Sequence, residues 1–345
     1  IPGVIAVIGN REKNQVVQYL RQEVAPENVV VDVSDISVAP FEKLTISSFR
    51  NYTRAFLKIQ EGCNRACSYC VIPEVRGRSR SQQTDQILTE IKDLVDRNFR
   101  EIVFTGIDLG TYGHDMDPKT SLKELLDQVI KIEGLARVRL SSIEPMEFNP
   151  DLIERITNTD KICRHFHIPI QSGCNSILKR MNRTYSTGEC ADIIQKIRTR
   201  SPDACIGSDV ITAFPGETED EFKATYDYIS DLPINYLHVF TYSIRENTPA
   251  ADFPDKVDPN TARDRCHALR NLGHSKALEL RHRMIGKSLP VIILGSSDKE
   301  TGLPRSLSDN YIQVLIKNDC PPKGTIGNAI IDDLDGLNCI GRFEA

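Results

Sequence analysis

The 345-residue chain lacks any apolar run long enough to cross a membrane, so nothing in it reads as a membrane span. It shows no charged-then-apolar leader, and nothing in it argues for secretion. It also lacks a basic excess. Its formal net charge is −5, which excludes a protein that holds nucleic acid by overall charge alone. At 40% apolar and 26% charged residues, the composition is that of an ordinary soluble globular chain with room for two or three domains. A disulfide framework is missing too. Of the ten cysteines, Cys163, Cys174, Cys190, Cys205, Cys266, Cys320 and Cys339 follow no repeating spacing. They read as buried free thiols of a reducing, cytoplasmic compartment.

The other three cysteines are concentrated. The stretch GCNRACSYC, residues 62–70, sets Cys63, Cys67 and Cys70 in a C-x3-C-x2-C pattern. A structural zinc site closes with four ligands, so a fourth thiol is what this loop lacks. Iron–sulfur clusters are held by thiolates, usually four. Three leave one iron of a four-iron cube open to a substrate. The competing readings are zinc with a distant fourth ligand, for which His165 or His167 in HFHIP would serve, or three structural thiols. Two histidines on one face of a strand more often pack or hydrogen-bond. Tyr69 is either a core residue or a ring against a cofactor.

The pattern along the chain predicts alternating strands and helices. VIAVI, residues 4–8, reads as a strand, and REKNQVVQYLRQEV as a helix with Val16, Val17 and Leu20 on one face. This is a strand–helix unit without partners, expected to be the tail of a domain whose front is missing, with a connector over residues 26–50. From Ala55 the strands AFLKIQ, EIVFTG, RVRLSS, RHFHIPI, ACIGSDVITAF and YLHVFTYS alternate with helical segments. One of these is TDQILTEIKDLVDRN, with Thr84 as its expected cap. Six such units predict an α/β fold, a partial (βα)6 parallel barrel. The polar and Gly-rich segments all follow strands, where such folds bind ligands. After Gly286, LPVIILGSS, NYIQVLIK and TIGNAIIDDL predict a small all-β barrel. The expected divisions are residues 1–40, 41–285 and 286–345.

One segment is locally basic. Between Pro259 and Lys287 seven Lys or Arg, among them Arg270 and Arg281, face only Asp264 and Glu279. Such a helix is either a phosphate-facing surface or a solvated face.

The cysteine spacing, with an aromatic before the last thiol, resembles the radical S-adenosylmethionine superfamily. LKIQEGCNRACSYCVIPEVRGRSRS, TGIDLGTYG, RLSSIEP, HIPIQSG, MNRTYS and DVITAFPGETEDEF together resemble its tRNA and ribosomal-protein methylthiotransferases. The resemblance runs from about Asn51 to the C-terminus, where the last barrel is similar to the family's RNA-binding TRAM domain. RGRSRS, YTRAF and YLHVFTYS are most similar to the branch acting on N6-threonylcarbamoyladenosine of tRNA. The alternatives are action on isopentenyladenosine or on a ribosomal protein. From a different class, the alternative is a non-catalytic, zinc-containing RNA-binding protein.

The resemblance implies a radical abstracting hydrogen from C2 of the adenine, followed by methylthio transfer. It implies a [4Fe-4S] cluster on Cys63, Cys67 and Cys70 and S-adenosylmethionine near Tyr69, Thr105, Gly106, Ser142, Glu144, Gln171 and Asp209. It further implies contact of Arg76, Arg78 and Arg80 with RNA, and a flavodoxin- or ferredoxin-like electron donor. The partner implied is a tRNA anticodon stem-loop. The family's second cluster needs three upstream cysteines, and none precedes Cys63 here. Only one cluster is therefore expected on this chain.

Overall fold

The computed structural model describes residues 3–21, 29–37, 40–41 and 52–344. The connector expected over 26–50 lies largely outside them. Near the N-terminus, β1 (Ala6–Ile8) leads through α1 (Val16–Arg21) to β2 (Val30–Asp32), which pairs with β1 in parallel. The first strand therefore has a partner, inside the stretch expected to be connector. The expected apolar face of α1 is not buried: Val16, Val17 and Leu20 are exposed, and Tyr19 is buried instead. Its hydroxyl bonds the Asp32 carboxylate. Two three-residue strands offer too little surface to cover three aliphatic side chains.

The body of the chain begins with β3 (Ala55–Lys58), β4 (Gln60–Glu61), α2 (Ile72–Arg76) and β5 (Arg80–Ser81). It continues through α3 (Thr84–Asp96), β6 (Glu101–Thr105), α4 (Leu122–Val129), β7 (Arg137–Leu140), α5 (Pro150–Thr157) and β8 (His165–His167). Then come α6 (Asn175–Arg180), α7 (Thr187–Arg200), β9 (Cys205–Thr212), α8 (Glu219–Asp231), β10 (Tyr236–Thr241) and α9 (Pro259–His282). Strands β3, β6 and β7 form one parallel sheet and β8, β9 and β10 another. A parallel bridge between Val138 and Ile162 joins them into one arc. This is the expected partial barrel of six parallel strands.

Local chemistry sets the helix starts. Ser186 with Glu189, and Thr218 with Glu221, form capping boxes on α7 and α8, each satisfying end N–H groups with side chains. Asn149 caps α5. Thr84 does not cap α3: it is the first helical residue, and its hydroxyl meets Tyr112 Oη at 3.1 Å.

Each strand of the arc has two unlike faces, because side chains alternate. Outward, Leu57, Ile102, Phe104, Val138, Leu140, Phe166, Ile206 and Val210 pack under the helices in the main core. Inward, Glu101, Arg137, Arg139, His165, His167, Asp209 and Tyr236 face one another across a polar lumen.

The C-terminal strands β11 (Ser288–Ser297), β12 (Pro304–Ser308), β13 (Gln313–Ile316), β14 (Ile326–Asp335) and β15 (Asn338–Glu344) close into a barrel in the order β11-β12-β13-β15-β14. Sequence pattern marks three of these strands. β12 and β15 are found only in the fold. Leu289, Val291, Ile293, Val314, Ile316, Ala329 and Ile331 fill the barrel.

The two bodies meet at the floor of the lumen. The buried Glu101 accepts from Arg137 Nε at 2.6 Å and Arg139 Nε at 3.0 Å. Arg137 then donates to the carbonyls of Pro290 and Leu307, and Arg139 to those of Ser308 and Asp309. Arg164 pairs with the Asp309 carboxylate at 2.6 Å. Burial opposes the charge of Glu101, but Arg139 and Arg137 outweigh it and hold its pKa near 2.

Glu101→Gln leaves two guanidiniums buried without a counter-charge. It is expected to cost about 3–5 kcal/mol in urea unfolding. Because the Glu101 pKa is depressed in the folded chain, this stabilisation is full above the usual carboxylate range. It is lost as pH falls from about 4.5 toward 2. A wild-type stability that is flat over that window, or a neutral Glu101→Gln, contradicts the assignment.

Candidate active site

The cysteine loop is set by the residue that precedes it. Gln60, buried at the start of β4, accepts the Asp108 N–H through Oε1 at 2.9 Å. Its amide donates to the Gly62 carbonyl at 2.8 Å and to Ser79 Oγ at 2.9 Å. One side chain thus ties the loop after β3 to the loop after β6. Gly62 then turns the chain at φ +75°, where a Cβ would lie 2.0 Å from the Arg78 carbonyl oxygen.

Cys63, Cys67 and Cys70 follow, all half-buried and free. Three free thiols on one loop supply three of the four ligands that a closed site takes, so one position is left to another donor. His165 and His167 do not complete a zinc set: Nε2 of the first and Nδ1 of the second both bond Tyr236 Oη, at 2.8 and 2.9 Å.

Charged groups surround the loop. Arg65 bridges Asp108 at 2.8 Å and Glu147 at 2.6 Å, and its N–H donates to Cys63 Sγ at 3.4 Å. Arg183 donates to Cys67 Sγ at 3.0 Å, pairs with Glu144, and lies over the Tyr185 ring. Burial raises the Glu144 pKa although Arg183 opposes it. Burial also pushes the Cys63 thiol up to about 12 and raises that of Cys70. Tyr69 lies edge-on to Phe214, in the small cluster with Ile177, Met181 and Ala250.

The remaining expected site residues fall in several places. Thr105 and Gly106 end β6, next to Gln60, where a Cβ on Gly106 would come 2.9 Å from Gln60 Oε1. Ser142 and Glu144 follow β7. Gln171 follows β8 at φ +67°, and its N–H bonds the Asp209 carbonyl. These lie with the cysteines at the carboxyl ends of the strands. Asp209 lies deeper, between His167 at 3.0 Å and His238 at 3.1 Å. Burial opposes its charge, but the contacts with His167 and His238 hold its pKa well below the usual range.

The arginines correct the expectation of one phosphate-facing row. Arg76 and Arg80 turn with Lys13 and Lys58 toward the buried Glu61 carboxylate, because an unpaired buried charge is costly. Only Arg78 of the three is exposed. The basic α9 is likewise mixed. Arg265 is buried on Glu217 and Glu219, and Lys276 on the carbonyls of Ser230 and Leu232. Arg281 is half-buried and donates to the carbonyls of Leu337 and Ala277, so it ties the helix to the barrel. Arg270 stays exposed, beside Lys256, Arg263 and His267, in a cavity of about 670 Å³.

Residues 57–229 match the radical SAM superfamily. The chain is 39% identical over 322 residues to the threonylcarbamoyladenosine tRNA methylthiotransferase of Bacillus subtilis, covering 92% of this chain and 71% of that protein. The chain belongs to the radical SAM tRNA methylthiotransferases. It is also 36% identical over 249 residues to the tRNA-2-methylthio-N(6)-dimethylallyladenosine synthase of Pelotomaculum thermopropionicum, covering 72% of this chain and 56% of that one. In fold it is similar to the radical S-adenosylmethionine methyltransferase TsrM of Kitasatospora setae. That likeness has a TM-score of 0.50 and 17% identity over 59% of this chain and 38% of the other. Membership of this family implies an iron–sulfur cluster and S-adenosylmethionine as its cofactors.

For a radical SAM methylthiotransferase, the residues that sequence reading passed over are Arg65, Asp108, Glu147 and Arg183. Asp108 and Arg183 sit inside motifs already conspicuous, TGIDLG and MNRTYS. Their roles emerge only when the loops converge.

Raised thiol pKa values mean that ligation must displace protons. Anaerobic loading of iron and sulfide is expected to release protons at neutral pH and to be favoured as pH rises from 6 to 8. An indicator dye in weak buffer reads this directly; loading without proton release contradicts it.

Proposed function

We propose that this chain carries the radical step of C2 methylthiolation of N6-threonylcarbamoyladenosine in tRNA, with Cys63, Cys67 and Cys70 holding one four-iron cluster and the transferred sulfur coming from a donor other than these cysteines. The observation that carries this reading is the thiol set: three free sulfurs on the first βα loop, among the charged side chains of Arg65, Asp108, Glu144 and Arg183. The threonylcarbamoyladenosine branch is supported by the 39% identity over 92% of the chain to a protein named for that substrate. When bound, cluster and S-adenosylmethionine supply the electron and the radical that activate an inert C–H bond.

This chain's own residues do the positioning. Gln60 fixes the cysteine loop against the loop that carries Asp108. Arg65 holds Asp108 and Glu147 beside Cys63, and Arg183 donates to Cys67 Sγ and pairs with Glu144, so both guanidiniums orient the loop. Tyr69 walls the loop on the Phe214 side. Thr105, Gly106, Ser142, Glu144 and Gln171 border the mouth and hold S-adenosylmethionine. The reacting unit spans 41–285, and the barrel over 286–345 binds RNA. Arg78 and the group around Arg270 meet tRNA phosphates near the anticodon stem-loop. A flavodoxin or ferredoxin supplies the electron, in the cytoplasm; among the described residues no helix is long and apolar enough to cross a membrane.

Cys67→Ala is expected to lose most cluster iron and all reductive cleavage of S-adenosylmethionine; retention of both removes the cluster from this loop. Arg270→Gln is expected to lower the salt slope of tRNA binding by about one unit, whereas Arg281→Gln is expected to leave the slope and loosen the barrel. The deciding measurement compares anticodon stem-loops bearing threonylcarbamoyl- or isopentenyladenosine. Preferential binding of the first is expected, and preference for the second assigns the chain to the other branch.

A further inference from the structure

The lumen holds a second group of donor atoms that the reaction does not use. His167 on β8, Asp209 on β9 and His238 on β10 place one ligand atom each within 4.8 Å of one another. This is the one such trio among the described His, Cys, Asp and Glu residues. The strand register produces it: Asp209 pairs with His238, and His167 with Gly207 one pleat away, so all three side chains leave the same face.

Its hydrogen bonding is unfinished. His167 is 93% buried, with relative exposure 7%. Its Nδ1 is held by Tyr236 Oη at 2.9 Å. Its Nε2 lies 3.0 Å from Asp209 Oδ1, yet off the line of an N–H bond, and it has no hydrogen-bond partner. His238 Nδ1 is 3.1 Å from the same oxygen. Two donors about 2.1 Å from a shared cation stand about 3.0 Å apart when cis on an octahedron. The two separations to Asp209 Oδ1 fit that arrangement, and a cation would replace the His238 Nδ1 hydrogen bond to that oxygen. An imidazole held through one ring nitrogen, with the other left without a hydrogen bond, is how metal-ligating histidines are set.

We propose that His167 Nε2, Asp209 and His238 Nδ1 bind a divalent first-row transition cation. Its remaining coordination positions face the lumen, because His238 is more than half exposed. The site is separate from the cysteine loop and goes beyond the proposed methylthiolation. It also gives Asp209 a role other than contact with S-adenosylmethionine.

The test uses Co2+ as the probe on the cluster-loaded chain. After anaerobic cluster assembly, the protein is equilibrated with micromolar Co2+, desalted and analysed for iron and cobalt together. One cobalt per chain is expected in addition to the cluster iron. His238→Ala and Asp209→Asn are each expected to weaken cobalt binding at least tenfold without lowering cluster iron. His238 is largely exposed, so its removal leaves the packing intact, and circular dichroism checks this. The triple variant Cys63→Ala, Cys67→Ala, Cys70→Ala is expected to keep its cobalt, with weak visible bands and no near-ultraviolet thiolate charge transfer. Three results each overturn the proposal: absence of cobalt at that concentration, cobalt unaffected by His238→Ala, or cobalt lost with the cysteines.

Discussion

The architecture depends on one buried carboxylate. Glu101 sits on β6 at the closed end of the lumen, where Arg137 and Arg139 arrive from the neighbouring strand. Neither guanidinium is tolerable there without a counter-charge, and neither is satisfied by Glu101 alone. Their remaining N–H groups meet four backbone carbonyls of the terminal barrel, at Pro290, Leu307, Ser308 and Asp309. The same ion cluster therefore neutralises the floor of one body and satisfies exposed backbone of the other. The barrel's position relative to the cysteine loop follows from it.

Much of this was legible in the sequence. Six alternating units give the parallel arc because each strand carries enough apolar residues to bury one face under helices. Three thiols in eight residues mark the reacting loop without any structure. The inner row of the arc was harder to read. Arg137-x-Arg139 and His165-x-His167 alternate at the strand period, but the same spacing serves an exposed edge equally well. Only the closing of the arc makes those side chains neighbours and turns isolated charges into a network.

The basic residues show the limit of reading charge along the chain. Arg76, Arg80, Arg265, Lys276 and Arg281 count toward two positive segments, yet each finds a carboxylate or a carbonyl inside the fold. Charge density in a sequence does not distinguish a cation that meets solvent from one that staples a helix. The partner is often far along the chain: Arg281 and Leu337 are 56 residues apart. The N-terminal strand was misread for a different reason: its partner β2 lies in the valine run of residues 29–33, inside a stretch read as connector.

Gly207 carries a consequence for how this sequence can drift. A Cβ there would lie 1.9 Å from Tyr236 Cζ, so the ring occupies the space that any other residue would need. That ring's hydroxyl holds His165 and His167 together, and Tyr311 of the terminal barrel stacks on His165. A side chain at 207 is thus incompatible with the aromatic at 236, and loss of that aromatic strands two imidazoles. Neutral wandering at any one of these positions is closed. A change at the glycine is therefore felt on three strands and on one face of the terminal barrel at once.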